Sequence, residues 1–77
     1  MELVYSGHWL RKKKYRPEIT EDLIEYAIEN SEEMMDKNWP ELSNAICRVP
    51  PSGRILKVVF RRLDENKIKI ITAFWLD

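Results

Sequence analysis

Basic side chains alternate with apolar ones in two segments near the end of the chain, residues 54–63 and 67–76. Successive side chains of a β-strand point to opposite faces of a sheet, so each alternation assigns its cations to one face. The face predicted to point outward carries Lys57, Arg61, Lys69 and Trp75. Cations interleaved with an aromatic ring suit a phosphate backbone and its bases. The pattern therefore predicts a nucleic-acid-binding face on a β-hairpin.

The opposing row of the same hairpin is largely apolar and predicts the core side of the sheet. It consists of Leu56, Val58, Phe60, Ile68, Ile70, Thr72 and Phe74. Arg54 and Arg62 share this parity at the two ends of the first segment, so we expect them at the sheet rim. Between the segments, Asp64, Glu65 and Asn66 supply turn-forming residues.

A third alternating segment, residues 44–49, adds Arg48 to the predicted outward face and is followed by a Pro-Pro-Ser-Gly turn. Polar residues on the solvated side of an antiparallel sheet would explain the cations alone. They would not explain Ile46, Val59 and Ile71, which fall on the same parity. A face that is both apolar and basic indicates a ligand, a partner or a dimer mate. The alternative is that the helices cover this side and the two faces are inverted.

His8 is the only histidine, and an unperturbed pKa near 6.5 suits it for proton transfer. The alternative is a capping or hydrogen-bonded structural residue, because no acidic partner or nucleophile stands in a recognisable motif. Glycine-rich phosphate loops and serine or cysteine nucleophile signatures are missing from the sequence, which argues against most metabolic enzyme classes. One histidine and one cysteine do not make a usual zinc site, so we expect no metal and no cofactor.

The formal net charge is zero, with 13 basic and 13 acidic residues, but the charges are segregated. Residues 11–16 hold five cations, and residues 18–36 hold eight acids without a base. The repeat of Glu21, Glu25 and Glu29 on one helix is repulsive unless a cation lies nearby. The adjacent basic helix is the favoured counter-charge, and a cationic partner protein is the alternative.

Local signals predict two helices before the strands. Ser6 is a candidate N-cap for a short helix that continues to about Tyr15, before Pro17. Thr20 is a candidate N-cap for the second helix, which Asn30 would end in a left-handed conformation. Residues 34–38 are a candidate edge strand, and residues 3–5 are a candidate for a further short strand. The predicted fold class is α+β, with two N-terminal helices packed on one face of a three- to four-stranded antiparallel sheet.

The length of 77 residues predicts a single domain spanning 1–77, near the lower limit for an unaided hydrophobic core. Cys47 is the only cysteine, so no internal disulfide can form. The single cysteine and the lack of a recognisable secretion signal together favour a reducing, cytoplasmic setting. No apolar run approaches the ~20 residues of a membrane span, so no membrane association is expected.

Five short motifs are spread over nearly the whole chain. In chain order they are Ser6-Gly-His-Trp-Leu10, Arg16-Pro-Glu-Ile-Thr-Glu-Asp22, Glu29-Asn30, Gly53-Arg-Ile-Leu-Lys-Val-Val59 and Ile71-Thr-Ala-Phe74. Together they resemble the small toxin-like families related to BrnT and RelE, and a neighbouring group of uncharacterised domains with the same layout. The resemblance implies helices on one side of an antiparallel sheet and an RNA-cleaving surface on the other.

Toxins of these families are metal-free ribonucleases, often acting on messenger RNA at the ribosome, and an antitoxin neutralises them. Their basic side chains activate the 2′-hydroxyl and stabilise the phosphate in transition. By position, the resemblance implies catalytic roles for His8, Arg54, Lys57 and Arg61. It implies that Arg48 and Lys69 hold the RNA backbone, on the face that is predicted to include Trp75.

Two functions follow as hypotheses. The first is a metal-free endoribonuclease-like toxin domain of a toxin–antitoxin pair, with RNA and an antitoxin-like protein as partners. The second is a noncatalytic protein-interaction or dimerisation module, such as a homodimer. It is motivated by the apolar strand at residues 70–76, which would be an aggregation hazard at a sheet edge, and by the acidic helix.

Overall fold

Seven regular elements and one 3₁₀ turn follow one another along residues 2–77, the part of the chain that the computed structural model describes. They are β1 (Glu2–Tyr5), α1 (Gly7–Lys12), the 3₁₀ turn (Lys13–Tyr15), α2 (Glu21–Glu29), β2 (Met34–Met35), β3 (Ser43–Val49), β4 (Arg54–Arg62) and β5 (Lys67–Trp75). The fold is α+β, as predicted. Within this range, no helix is long and apolar enough to cross a membrane.

The five strands form one mixed sheet in the order β1-β5-β4-β3-β2. β1 runs parallel to β5, and the other neighbouring pairs are antiparallel. The antiparallel pairing predicted for the later strands is confirmed. The sheet has one strand more than the three to four predicted, and that strand, β1, is parallel to its neighbour. A four-residue strand carries too little pattern to indicate its partner, which here lies more than 60 residues away in the sequence. In the described structure β1 covers β5 only from Lys67 to Ile70, so the rest of the apolar run, residues 71–76, lies at a sheet edge, as the dimer hypothesis assumed.

Both helices begin at the predicted caps. The Ser6 hydroxyl accepts a hydrogen bond from the backbone N–H of Trp9 at 3.1 Å, and Thr20 does the same for Leu23 at 3.2 Å. These bonds satisfy N–H groups that have no partner in the first helical turn. The end of α2 differs from the prediction, because Asn30 has φ −113° and is not left-handed.

The core lies between the two helices and one face of the sheet. The predicted inward residues Leu56, Val58, Phe60, Ile68 and Ile70 are all buried, which confirms the parity of β4 and of the first half of β5. Trp9 from α1, with Ile24 and Ala27 from α2, joins them in one buried cluster. Both helices thus cover the same face and leave the other uncovered.

A β-bulge in β5 reverses the predicted parity of its second half. Val59 pairs with Thr72, but the next residue, Phe60, pairs with Ile70, so Ile71 has no partner in β4. One extra residue moves every following side chain to the opposite face. Ala73 and Trp75 therefore point to the core side, and Thr72 and Phe74 point away from it. The placement predicted for Thr72, Phe74 and Trp75 was wrong.

The bulge coincides with the point where β5 loses β1 as a neighbour. β1 ends at Tyr5, and Ser6 then binds β5 twice: its N–H donates to Ile70 O at 2.9 Å and its hydroxyl donates to Ile71 O at 2.8 Å. Further along, the Arg16 guanidinium donates to Ala73 O at 3.0 Å. Side chains thereby replace the missing strand along the outer edge of β5.

Candidate nucleic-acid interface

The sheet face that points away from the helices, here called the open face, collects most of the predicted cations. Cross-strand pairing places Arg48 opposite Ile55, Lys57 opposite Ile46, and Arg61 opposite Lys69. Directly paired residues share a face, and these positions alternate with the buried ones. The structure therefore brings together Arg48, Lys57, Arg61 and Lys69. On strands β3, β4 and β5, all within residues 2–77, no open-face position holds an acidic residue.

Arg61 and Lys69 are like charges on directly opposite positions of neighbouring strands. Such a pair is repulsive in the absence of a counter-ion. Among residues 2–77 the only ion pairs are Arg54–Asp77 and Arg62–Glu33, so neither cation has an intramolecular carboxylate partner. An anion bound between them would remove the repulsion.

Phe74, and not Trp75, supplies the aromatic ring of the open face. Phe74 pairs directly with Lys57, whose ammonium lies 5.8 Å from the ring centre. Trp75 instead packs against the core cluster, and the Arg54 guanidinium covers its ring at 4.2 Å. The sequence-based placement of Trp75 among the RNA-binding residues fails because the bulge turns it to the other face.

The four residues proposed as catalytic do not converge. His8 is exposed on α1, and Arg54 shares the parity of the core row, where it pairs with Asp77 at 3.8 Å. Lys57 and Arg61 project from the opposite face of the sheet. The sheet itself therefore separates His8 and Arg54 from the two open-face cations. This arrangement does not form a single acid–base site.

A groove of about 390 Å³ lies at the β2 side of the open face. Its lining includes Met34, Asp36, Asn44, Ile46 and Lys57. A hydrogen bond from the backbone N–H of Asn38 is the main cause that lowers the pKa of Asp36, and the Lys57 ammonium acts in the same direction. The groove thus combines apolar walls with an ionised carboxylate and an amide at the margin of the cationic surface.

The basic cluster of residues 11–16 and the acidic helix α2 form no direct ion pair in the described structure. Neither ion pair within 2–77 joins residues 11–16 to α2. Burial is the first cause of the raised pKa of Tyr5 on β1, and the charges of Glu21 and Glu25 contribute. Since no ion pair within residues 2–77 joins the two clusters, the role of the basic helix as a longer-range counter-charge stays a prediction.

Sequence analysis missed two open-face residues, Phe74 and Lys67. Lys67 is half-buried and has the same parity as Lys69, two residues away, so alternation alone could have identified it. Phe74 could not be identified in this way, because its orientation depends on the bulge. The corrected set contains five cations and one phenyl ring.

We expect Lys69→Glu to stabilise the fold by about 0.2–1 kcal/mol, because it converts the Arg61–Lys69 repulsion into an attraction. The measurement is the free energy of unfolding from urea denaturation at low salt. Lys12→Glu, on the helical side, makes the same change in net charge and serves as control. Equal effects of the two substitutions would contradict a specific cross-strand repulsion.

No protein-family model, no curated protein and no solved structure matches this chain. The candidate interface is defined by the geometry of the open face alone.

Proposed function

We propose that the protein binds single-stranded RNA across the open face. One observation carries the proposal: the outward positions of the three central strands hold five cations and no acid. They are Arg48, Lys57, Arg61, Lys67 and Lys69. In a chain of zero formal net charge, this concentration of one sign creates a local attraction for a polyanion.

The spacing of the cations suits several phosphates at once. Lys57 and Arg61 are four residues apart on β4, or about 13 Å. Lys69 lies across from Arg61, at the distance between neighbouring strands of about 5 Å. Phe74 and Ile46 lie beside Lys57, on either side of β4, and offer apolar surface to unstacked bases. A flexible single strand can follow this surface, whereas a rigid duplex cannot present its bases to it.

Cleavage of the bound RNA by a toxin domain, and neutralisation by an antitoxin-like protein, stay predictions from the family resemblance. Positioned basic groups support binding and charge stabilisation. His8 lies on the helical side, so the general base of a cleavage reaction on the open face would have to be another group. RNA binding and RNA cleavage therefore require separate measurements.

The direct experiment is a fluorescence-anisotropy titration of a labelled single-stranded RNA in EDTA at several salt concentrations. We expect the logarithm of the association constant to fall linearly with the logarithm of salt concentration, by about 0.7 per neutralised phosphate. Four phosphate contacts correspond to a slope of about −3. A duplex RNA of equal length should bind more weakly.

Absence of binding at low salt, or affinity that does not respond to salt, would contradict the proposal. Gel analysis of the same samples tests cleavage. Intact RNA after prolonged incubation would leave a binding protein and remove the metal-free nuclease hypothesis. Shortened RNA with a 2′,3′-cyclic phosphate end would support that hypothesis, because this end is the product of attack by the 2′-hydroxyl.

The noncatalytic alternative, a protein-interaction or dimerisation module, is favoured by a separate observation. β2 covers only the first two residues of β3, Ser43 and Asn44, so the rest of the β3 outer edge has no neighbouring strand in the described structure.

A further inference from the structure

The outer edge of β3 beyond Asn44 presents unpaired backbone groups. β3 pairs with β4 along its whole length on one side, from Ser43 to Val49. On the other side, β2 pairs only with Ser43 and Asn44, and no other described strand lies there. An unpaired strand edge is a template for another strand. Charged or proline residues commonly protect such edges, and the free stretch from residue 45 to 49 contains one charge and no proline.

The direction of each free backbone group follows from two hydrogen bonds. Asp36 N donates to Leu42 O at 3.0 Å in the β2–β3 connection, so Leu42 directs its carbonyl to the outer side. Backbone groups alternate in direction along a strand, which places those of Ile46 and Arg48 on the outer side as well. Val49 O accepts from Gly53 N at 2.8 Å in the β3–β4 turn, consistent with the opposite direction for the odd-numbered residues.

We propose that a second copy of this chain pairs with this edge, β3 against β3 in antiparallel orientation, about a two-fold axis at Cys47. In this register Ile46 of each copy lies opposite Arg48 of the other. The N–H and C=O of both residues point across the interface, so four backbone hydrogen bonds form. Cys47 lies opposite its symmetry mate in a non-hydrogen-bonded pair.

The charges of the edge favour a second copy in this register. Arg48 is the only charged residue between Ala45 and Val49. It would lie opposite Ile46, which is 37% exposed and gains apolar contact with the arginine stem. The two Arg48 side chains therefore do not lie opposite each other across the two-fold axis. An isologous pairing of this kind closes on itself and does not propagate into a fibre.

The helix above the edge is also compatible with a second copy. On α2, Glu21, Glu25 and Glu29 follow one flank, whereas Leu23 and Tyr26 occupy the other. α2 packs on β3 and β4, so it lies over this side of the sheet. Its Tyr26 is 37% exposed and is available for contact with a second copy.

The dimer would contain one continuous sheet of ten strands. A two-fold axis perpendicular to the sheet keeps the helices of both copies on one side and both open faces on the other. Arg48 would lie near the junction of the two open faces. Formation of the dimer does not depend on RNA binding, but the dimer would double the length of the cationic surface.

The first test is the mass of the protein in solution, measured by light scattering over a concentration series. We expect a dimer for the natural chain and a dimer about tenfold or more weaker for Ile46→Pro, because proline removes an outward N–H from each copy. The fold should persist, since an edge-strand proline whose N–H faces solvent leaves the pairing with β4 intact. Ile46→Val, which keeps the N–H, is the matched control and should dimerise like the natural chain.

The second test uses Cys47 itself. A non-hydrogen-bonded antiparallel pair has a Cα–Cα distance of about 4.5 Å, which a disulfide can bridge. Mild oxidation should therefore link two natural chains rapidly at low protein concentration. The control variant, Cys47→Ser with Ser52→Cys, carries its thiol in the β3–β4 turn and should link more slowly.

A strict monomer at high micromolar concentration would overturn the proposal. So would a dimer that Ile46→Pro leaves unchanged and that links no faster through Cys47 than the control variant links through its turn thiol. RNA affinity measured on the same variants separates the two proposals, because a monomer that binds RNA contradicts only the dimer.

Discussion

Replacing Arg61 and Lys69 together by glutamate should lower the affinity for single-stranded RNA by about a hundredfold, or about 2.7 kcal/mol. Both residues project from the open face on directly opposite strand positions, and neither has a carboxylate partner within 2–77. The substitution removes two phosphate contacts and adds repulsion at the same places. Since two glutamates repel across the strands as Arg61 and Lys69 do, the stability of the fold should change little. Anisotropy titration at fixed salt measures the affinity, and urea denaturation measures the stability.

The matched control is the replacement of Lys13 and Lys14 by glutamate. These two exposed residues of the 3₁₀ turn belong to the helical side, and their replacement makes the same change in net charge. We expect an affinity loss of less than about threefold, caused only by the weaker long-range field. If both double variants lose affinity equally, RNA binding follows net charge and the open face is not the site.

Trp9→Ala should leave most of the protein unfolded at room temperature. Trp9 is 2% exposed and is the largest buried side chain of the helical layer. Truncation of a buried tryptophan typically destabilises a protein by about 3–5 kcal/mol. A core of this size contributes about 3–5 kcal/mol in total. The six-residue α1 cannot persist without this anchor, because so short a helix is unstable alone. Far-UV circular dichroism and urea denaturation measure the loss.

Trp39→Ala provides the comparison, since Trp39 is 60% exposed in the connection between β2 and β3. Its removal should change the free energy of unfolding by less than about 0.5 kcal/mol. A folded Trp9→Ala variant with near-natural stability would show that α1 is not a structural part of the core. Burial of Trp9 in the common core would then not explain why α1 covers the same side of the sheet as α2.

The two faces of the sheet differ in what covers them. One face is covered by α1 and α2 and holds nearly all the buried apolar residues. The open face is free of that requirement, which allows lysine and arginine to occupy alternate strand positions without being buried unpaired. The predicted catalytic set spanned both faces. Groups on opposite sides of a sheet cannot contact the same phosphate, so these four residues do not act together at one site.

Local features of the fold were accessible from the sequence. Ser6 and Thr20 were identified as helix caps, because a cap depends on a hydroxyl placed three residues before an N–H that needs an acceptor. The alternation in β4 correctly assigned Lys57 and Arg61 to one face and Leu56 to the other. These predictions succeeded because the interactions that decide them lie within a few residues of one another.

By itself, the sequence determined which segments become strands and helices, and which cations of β3 and β4 share a face. Only the tertiary structure decided that β1 joins β5 in parallel, that Ile71 bulges, and that Phe74 replaces Trp75 on the open face. The physical reason is that strand side chains repeat every two residues. A single extra residue reverses everything after it, and its position here is associated with Ser6, which binds β5 where β1 ends.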